Sequence, residues 1–204
     1  MPTRRYTQQA RAEAAEETRQ QILEATRGRL RAAPTEPLSV ERVAQDAGVA
    51  RSTVYLVFGS RAGLFEALGR DLLDRTGFRR IADAVALPDA RDAVTQALRA
   101  AAGVYAAERD VARTIYSMWT LDPDALRGAF ETVERGRAEG QERLAERLHD
   151  EGRLRAGVSV EEAADVLWIV SSFETFDQLY TGRGLDEDAV AARLAMMAEQ
   201  ALWA

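Results

Sequence analysis

At 204 residues the chain is long enough to bury a substantial core as one large domain or two small ones. Ala, Leu, Glu, Arg and Gln dominate, which predicts an all-α protein, while the absence of Cys and the single His exclude disulfides, Cys-ligated zinc, thiol nucleophiles and His-rich metal sites. The formal net charge of −6 hides an asymmetry: residues 1–61 carry 10 Arg against 7 acids and residues 62–204 carry 17 against 26, so a mildly basic head that suits phosphate sits on an acidic body.

Every basic residue apart from His149 is Arg, and no mechanism follows from that. The opening MPTRRYTQQARAEAAEETRQ has no apolar core and does not read as a secretory signal. VLWIV at 166–170 is the longest run of large apolar residues, far short of the ~20 needed to span a bilayer, so the expectation is a soluble, cytoplasmic protein with no membrane partner.

In chain order, a first helix is predicted from about Thr7 to Arg31, burying a stripe of Ile22, Leu23, Thr26 and Leu30. Pro34 and Pro37 end it, and Ser39 is the N-cap of a short second helix reaching Asp46. Ala47-Gly48-Val49 is a tight turn, and a third helix runs from Arg51 to Val57. Ser60 caps a fourth helix that extends past Gly77 towards Ala86; Gly63, Gly69 and Gly77 within it suit either movement or close packing.

Helices over about 89–107 and 109–120 follow, and Asp122-Pro123 opens a long one with an N-cap and a proline at the first helical position. Ser159 and Glu162 form a capping box ahead of EEAADVLWIVSSFETFDQLY, read as one helix apolar around much of its circumference. TGRGLDED is a turn, after which Val190, Leu194, Met197 and Ala201 recur at coiled-coil-like steps. The count is about nine helices.

Helices two and three, each about two turns long and joined at Ala47-Gly48-Val49, have the layout of a helix-turn-helix, with Val43, Ala44, Val49 and Val54 sealing the corner. The N-terminal residues of the second of them, Ala50, Arg51, Ser52 and Thr53, are placed to meet base edges in a major groove, Arg51 towards guanine and Thr53 towards thymine. Tyr55, Arg61 and the helix starts at Ser39 and Ser60 are placed to meet phosphate. Arg4 and Arg5 read as a solvated tail rather than a minor-groove arm.

SVERVAQDAGVARSTVYLVFGSRAGLFEAL resembles the DNA-binding signature of the TetR family of transcriptional regulators, through Ser39, Val43, Ala44, Ala47, Gly48, Val49, Tyr55, Phe58, Arg61 and Leu64. Four positions depart from that pattern: Ser52 where Gly is frequent, Val57 where Tyr or His usually meets phosphate, Gly59 where many members are polar, and Arg61 where Lys is usual. The resemblance implies a three-helix head over residues 1–61 and a helical ligand-binding and dimerisation domain over 62–204, whose first helix links the two. The function it implies is a ligand-responsive regulator, most simply a repressor. It would bind an inverted-repeat operator in double-stranded DNA as a homodimer and be released by a small, largely apolar effector. The alternative is a helical ligand-binding or dimerisation protein that has lost specific DNA binding, a reading kept alive by Val57.

Tyr105, Tyr116, Met118, Trp119, Phe130, Trp168 and Phe173 are candidates for an effector pocket, and Phe176, Val190, Leu194 and Met197 for the dimer interface. An enzyme is not expected: no G-x-S-x-G turn occurs, Gly182-Arg183-Gly184 lacks the phosphate-loop pattern, and Asp186, Glu187 and Asp188 read as a helix start rather than a metal site. His149 suits a helix C-terminus, where a cation meets the dipole. No cofactor and no metal are expected.

Overall fold

The computed structural model describes residues 4–33, 36, 38–77, 79–121 and 127–203, with the side chains of 4–7, 76, 127–130 and 132 left aside. Pro34, Pro37, Asp122, Pro123 and the side chains of Arg4, Arg5 and Phe130 therefore lie outside the described residues. Among the described residues there are eleven helices and no strand. They are α1 (Arg4–Ala32), α2 (Val40–Asp46), α3 (Arg51–Phe58), α4 (Arg61–Thr76), α5 (Arg79–Val85), α6 (Ala90–Ala107), α7 (Arg109–Leu121), α8 (Arg127–Asp150), α9 (Val160–Val170), α10 (Phe173–Tyr180) and α11 (Glu187–Leu202).

Eleven replaces the expected nine because two long helices are each broken once. Gly77 adopts φ 82°, a left-handed conformation that ends α4 before Ala86 is reached. Ser172 ends the run through SSFETF: its Oγ accepts from the Thr175 N–H, so it is an N-cap and α10 starts anew. Three of the carbonyls at that second break find side-chain donors, Trp168 in Arg137 at 2.7 Å, Ile169 in the Thr175 hydroxyl at 2.7 Å and Ser171 in the Tyr105 hydroxyl at 3.3 Å.

The chain divides into two compact units, one of residues 1–71 with 114–129 and one of 72–113 with 130–204. In the first, the predicted α1 stripe of Ile22, Leu23, Thr26 and Leu30 is buried, together with Val43, Ala44 and Val54 from α2 and α3 and Leu64, Phe65 and Leu68 from α4. Ser39 caps α2 by accepting from the Arg42 N–H, with Leu38 before the cap and Val43 after it both buried, the pattern of a hydrophobic staple. The Thr114 hydroxyl of α7 donates to the Leu30 carbonyl at 3.0 Å, satisfying one of the last four acceptors of α1.

The second unit is built on Ala90, Ala93, Val94 and Leu98 of α6, Leu144, Ala145 and Leu148 of α8, Leu167 of α9 and Ala198 and Leu202 of α11. Its helices begin on side chains that satisfy exposed N–H groups: Asp89 for α6, the Ser159–Glu162 capping box for α9 and Asp186 for α11. On α11 the buried face is Val190, Ala191, Leu194, Ala198 and Leu202, which steps by four from Val190 to Leu202 with Ala191 beside it. The expected coiled-coil step to Met197 is not taken, and Met197 is exposed.

Asp177 of α10 is tied to Arg109 of α7 at 2.8 Å and to the Thr181 hydroxyl at 2.6 Å. Burial raises its pKa, but the Thr181 hydroxyl and the Arg109 guanidinium outweigh burial and hold the carboxyl below its ordinary value. A depressed carboxyl contributes stability that is present above its unfolded pKa of about 3.9 and is lost as pH falls through the lower folded value. Asp177→Asn is accordingly expected to flatten the acid limb of a plot of thermal midpoint against pH below about 5.

Candidate nucleic-acid interface

The α2–α3 corner is made by backbone hydrogen bonds alone. The Val49 N–H donates to the Ala44 carbonyl at 2.9 Å and the Gly48 N–H to Gln45 at 3.1 Å, with Gly48 at φ 67°, which is a Schellman stop followed at once by a new helix. Ala50 then stands in extended conformation as the N-cap of α3, without a side-chain cap, and is exposed. Val54 is buried and anchors α3, while Thr53, Val57 and Phe58 are half-buried beside it.

At about 100° per residue, Ser52 and Leu56 stand about 160° from Val54, one on each side of the direction opposite it, while Tyr55 and Arg51 lie about 100° and about 60° from Val54 along one flank. All four are exposed, Leu56 to 86%. Arg51 lies over the Tyr55 ring, 5.5 Å from its centroid, and donates to the phenol oxygen at 3.4 Å. That hydrogen bond raises the guanidinium pKa above its already high ordinary value.

The head's other arginines differ in what they hold. Arg29 pairs with Asp46 at 3.0 Å and Arg42 with Glu36, which cancels their charge locally. Arg51 and Arg61 rest instead on the rings of Tyr55 and Phe65, contacts that leave the positive charge uncancelled. The Nε of Arg61 is buried with no hydrogen-bond partner among the described residues. Ser60 caps α4 by accepting from the Gly63 N–H at 3.0 Å, and the Leu64 N–H bonds the Ser60 carbonyl. A Cβ on Gly63 would overlap the Phe58 carbonyl oxygen, so a close backbone approach, not mobility, accounts for that glycine.

The eight sequence-derived positions Ser39, Ala50, Arg51, Ser52, Thr53, Tyr55, Ser60 and Arg61 thus all lie on α3 or at the starts of α2, α3 and α4. Sequence reasoning missed Leu56, whose signal was its place one helical turn after Ser52. It also missed the support of Arg51 by Tyr55, an i to i+4 pair.

A sequence model, "Bacterial regulatory proteins, tetR family", matches residues 22–68, the span holding the buried end of α1, the corner and α3. Residues 22–68 thus carry the similarity to the tetR family. The whole chain, beyond this TetR segment, is similar in fold to solved TetR-type structures. NalD of Pseudomonas aeruginosa, described as the secondary repressor of the MexAB-OprM multidrug efflux pump, is 24% identical over 92% of this chain and 98% of its own, with a TM-score of 0.70. The fatty acid degradation regulator FadR of Bacillus halodurans is 16% identical over 88% and 96%, with a TM-score of 0.69. A TetR-like transcriptional regulator of Rhodococcus sp. is 18% identical over 90% and 94%, with a TM-score of 0.66. No curated protein matches the chain at a significant level. The chain therefore has the fold of TetR-family transcriptional regulators, and among the described residues no helix is long and apolar enough to cross a membrane.

Outside the TetR head, the pocket candidates fall in different places. Tyr116, Met118 and Trp119 are half-buried on the part of α7 that belongs to the first unit. In the second unit, Tyr105 has its hydroxyl on the Ser171 carbonyl, Trp168 is covered by the Arg137 guanidinium at 3.4 Å, and Phe173 is buried against Tyr105. Of the interface candidates, Phe176, Val190 and Leu194 are fully buried within the chain and have no surface left to offer a second copy. Met197 is exposed, as are Met196 and Ile169.

Proposed function

We propose that this protein is a dimeric, ligand-responsive DNA-binding repressor whose residues 1–61 read an inverted-repeat operator and whose residues 62–204 bind an effector and a second copy. The observation that carries the reading is the outer face of α3, where a ring-supported, uncancelled Arg51 stands beside exposed Ser52 at the start of a reading helix. Arg51 is the guanine reader, as a bidentate donor to O6 and N7. Tyr55 and Arg61 meet phosphate, and Val57 leaves one backbone contact unmade. A drug-like or acyl-chain effector, largely apolar, is in keeping with the efflux-pump and fatty-acid roles given for NalD and FadR. Ile169, Met196 and Met197 are the exposed apolar side chains of α9 and α11 offered to the second copy.

Selection of bound fragments from genomic DNA at moderate salt tests the reading, and it fails if no inverted repeat is enriched. On an enriched site, Arg51→Ala is expected to relax preference at one guanine per half-site, a loss of about 1–3 kcal/mol in discrimination. Tyr55→Phe keeps the ring under Arg51 and loses the phenol proton, so it weakens all sequences about equally. Tyr55→Ala removes the ring as well and lowers the guanine preference along with overall affinity. Binding titrations on matched and mismatched duplexes separate the three patterns.

A further inference from the structure

The outer face of α3 carries one large side chain with no polar group. Leu56 stands in the direction opposite buried Val54, one turn beyond Ser52, with 86% of its surface exposed. A single exposed leucine is ordinary on a protein surface. This one shares the outermost line of the helix with Ser52, and the other exposed side chains of α3, Arg51 and Tyr55, end in hydrogen-bonding groups. Leu56 lies one turn, about 5.4 Å, beyond Ser52, and successive bases of a strand are about 3.4 Å apart, so it falls within one or two base pairs of whatever Ser52 faces.

Resting on the DNA-reading role given above, we propose that Leu56 is a specificity-determining residue that packs on the C5 methyl of a thymine in the major groove of each half-site. Among major-groove edges only thymine offers an apolar group; guanine presents acceptors there and cytosine a donor. Leucine can satisfy neither, and pressing it on them strips water from a polar atom without replacement. The side chain therefore selects thymine by attraction to the methyl and by exclusion of the G·C pair. Arg51 and Leu56 together read a guanine and a nearby thymine from adjacent turns of one helix.

The test uses the full-length protein and the operator it selects. Deoxyuridine replaces each thymine in turn, symmetrically in both half-sites, which deletes the methyl and nothing else. One such replacement is expected to weaken the parent protein roughly three- to tenfold per half-site. Leu56→Ala should bind the unmodified operator more weakly by a similar factor and be indifferent to deoxyuridine at that position. If no thymine is methyl-sensitive, or if Leu56→Ala suffers the same loss at the sensitive one, the assignment of Leu56 is overturned while operator binding stands. If the parent protein enriches no sequence at all, the DNA-reading role itself falls, and this assignment with it.

Discussion

Asp71→Ala is expected to destabilise the protein by about 3–5 kcal/mol, read as a lowered midpoint in urea unfolding. Arg27 of α1 is 1% exposed and donates to both Asp71 of α4 and Glu24 one turn back. A guanidinium taken out of water costs several kcal/mol, and the ion pair with a carboxylate that is itself only 9% exposed offsets most of it. With Asp71 gone, Arg27 keeps only Glu24, whose side chain is largely solvated and whose pairing is correspondingly weak. Glu24→Ala should therefore cost less than about 1 kcal/mol, although it removes a partner of the same arginine. The double replacement Arg27→Met with Asp71→Leu leaves no charge to bury, and is expected to recover most of the loss. If the double variant is as unstable as Asp71→Ala, the penalty comes from packing volume and not from the stranded charge. Operator affinity per folded molecule should be unchanged in all three, because none touches the outer face of α3.

What could be read in the sequence was whatever is decided within about one helical turn. The stripe of α1, the Ser39 and Ser159 caps, and the Ala47-Gly48-Val49 stop all depend on residues three or four apart, and all formed as expected. The misses arise where local signals compete. Ser171-Ser172 lies inside a strongly apolar run whose helical pattern masks the competing cap, the Ser172 side chain three residues before the Thr175 N–H. Gly77 is compatible by residue type with either a helix interior or a helix end, and only its left-handed φ marks the end. On α11 Met197 lies only about 20° from Val190 around the helix, but Ala191, Leu194, Ala198 and Leu202 centre the buried face about 70° to the other side of Val190, which leaves Met197 outside it. The Arg27–Asp71 pair is a different case: its members are 44 positions apart, and no spacing rule connects them. At the interface, residue types located the reading helix, but the ring beneath Arg51 and the exposure of Leu56 required three-dimensional placement.

Phe176→Ala is expected to cost about 3–5 kcal/mol of folding stability, in contrast to the interface role its apolar sequence context suggested. Its ring is fully buried within the chain, 5.1 Å from Tyr180 in a stacked arrangement, 5.6 Å from Tyr105 and 6.3 Å from Phe173. Truncation removes the centre of that cluster and opens a cavity lined by rings that cannot close over it, since Tyr105 is held by the Ser171 carbonyl. Phe176→Leu fills part of the space and should cost clearly less. The near-ultraviolet circular dichroism of the folded Phe176→Ala protein should change, because Tyr180 loses the ring stacked on it and Tyr105 a tilted ring neighbour. A surface residue behaves differently: Met197→Glu places a charge where water already reaches, so the thermal midpoint of the separated chain should barely move. Self-association measured by sedimentation should weaken instead, since a carboxylate buried against a second copy has no partner there. If Phe176→Ala keeps the parent midpoint and only dissociates, its ring is an interface group after all. Should Met197→Glu associate like the parent, the second copy sits elsewhere than on this face of α11.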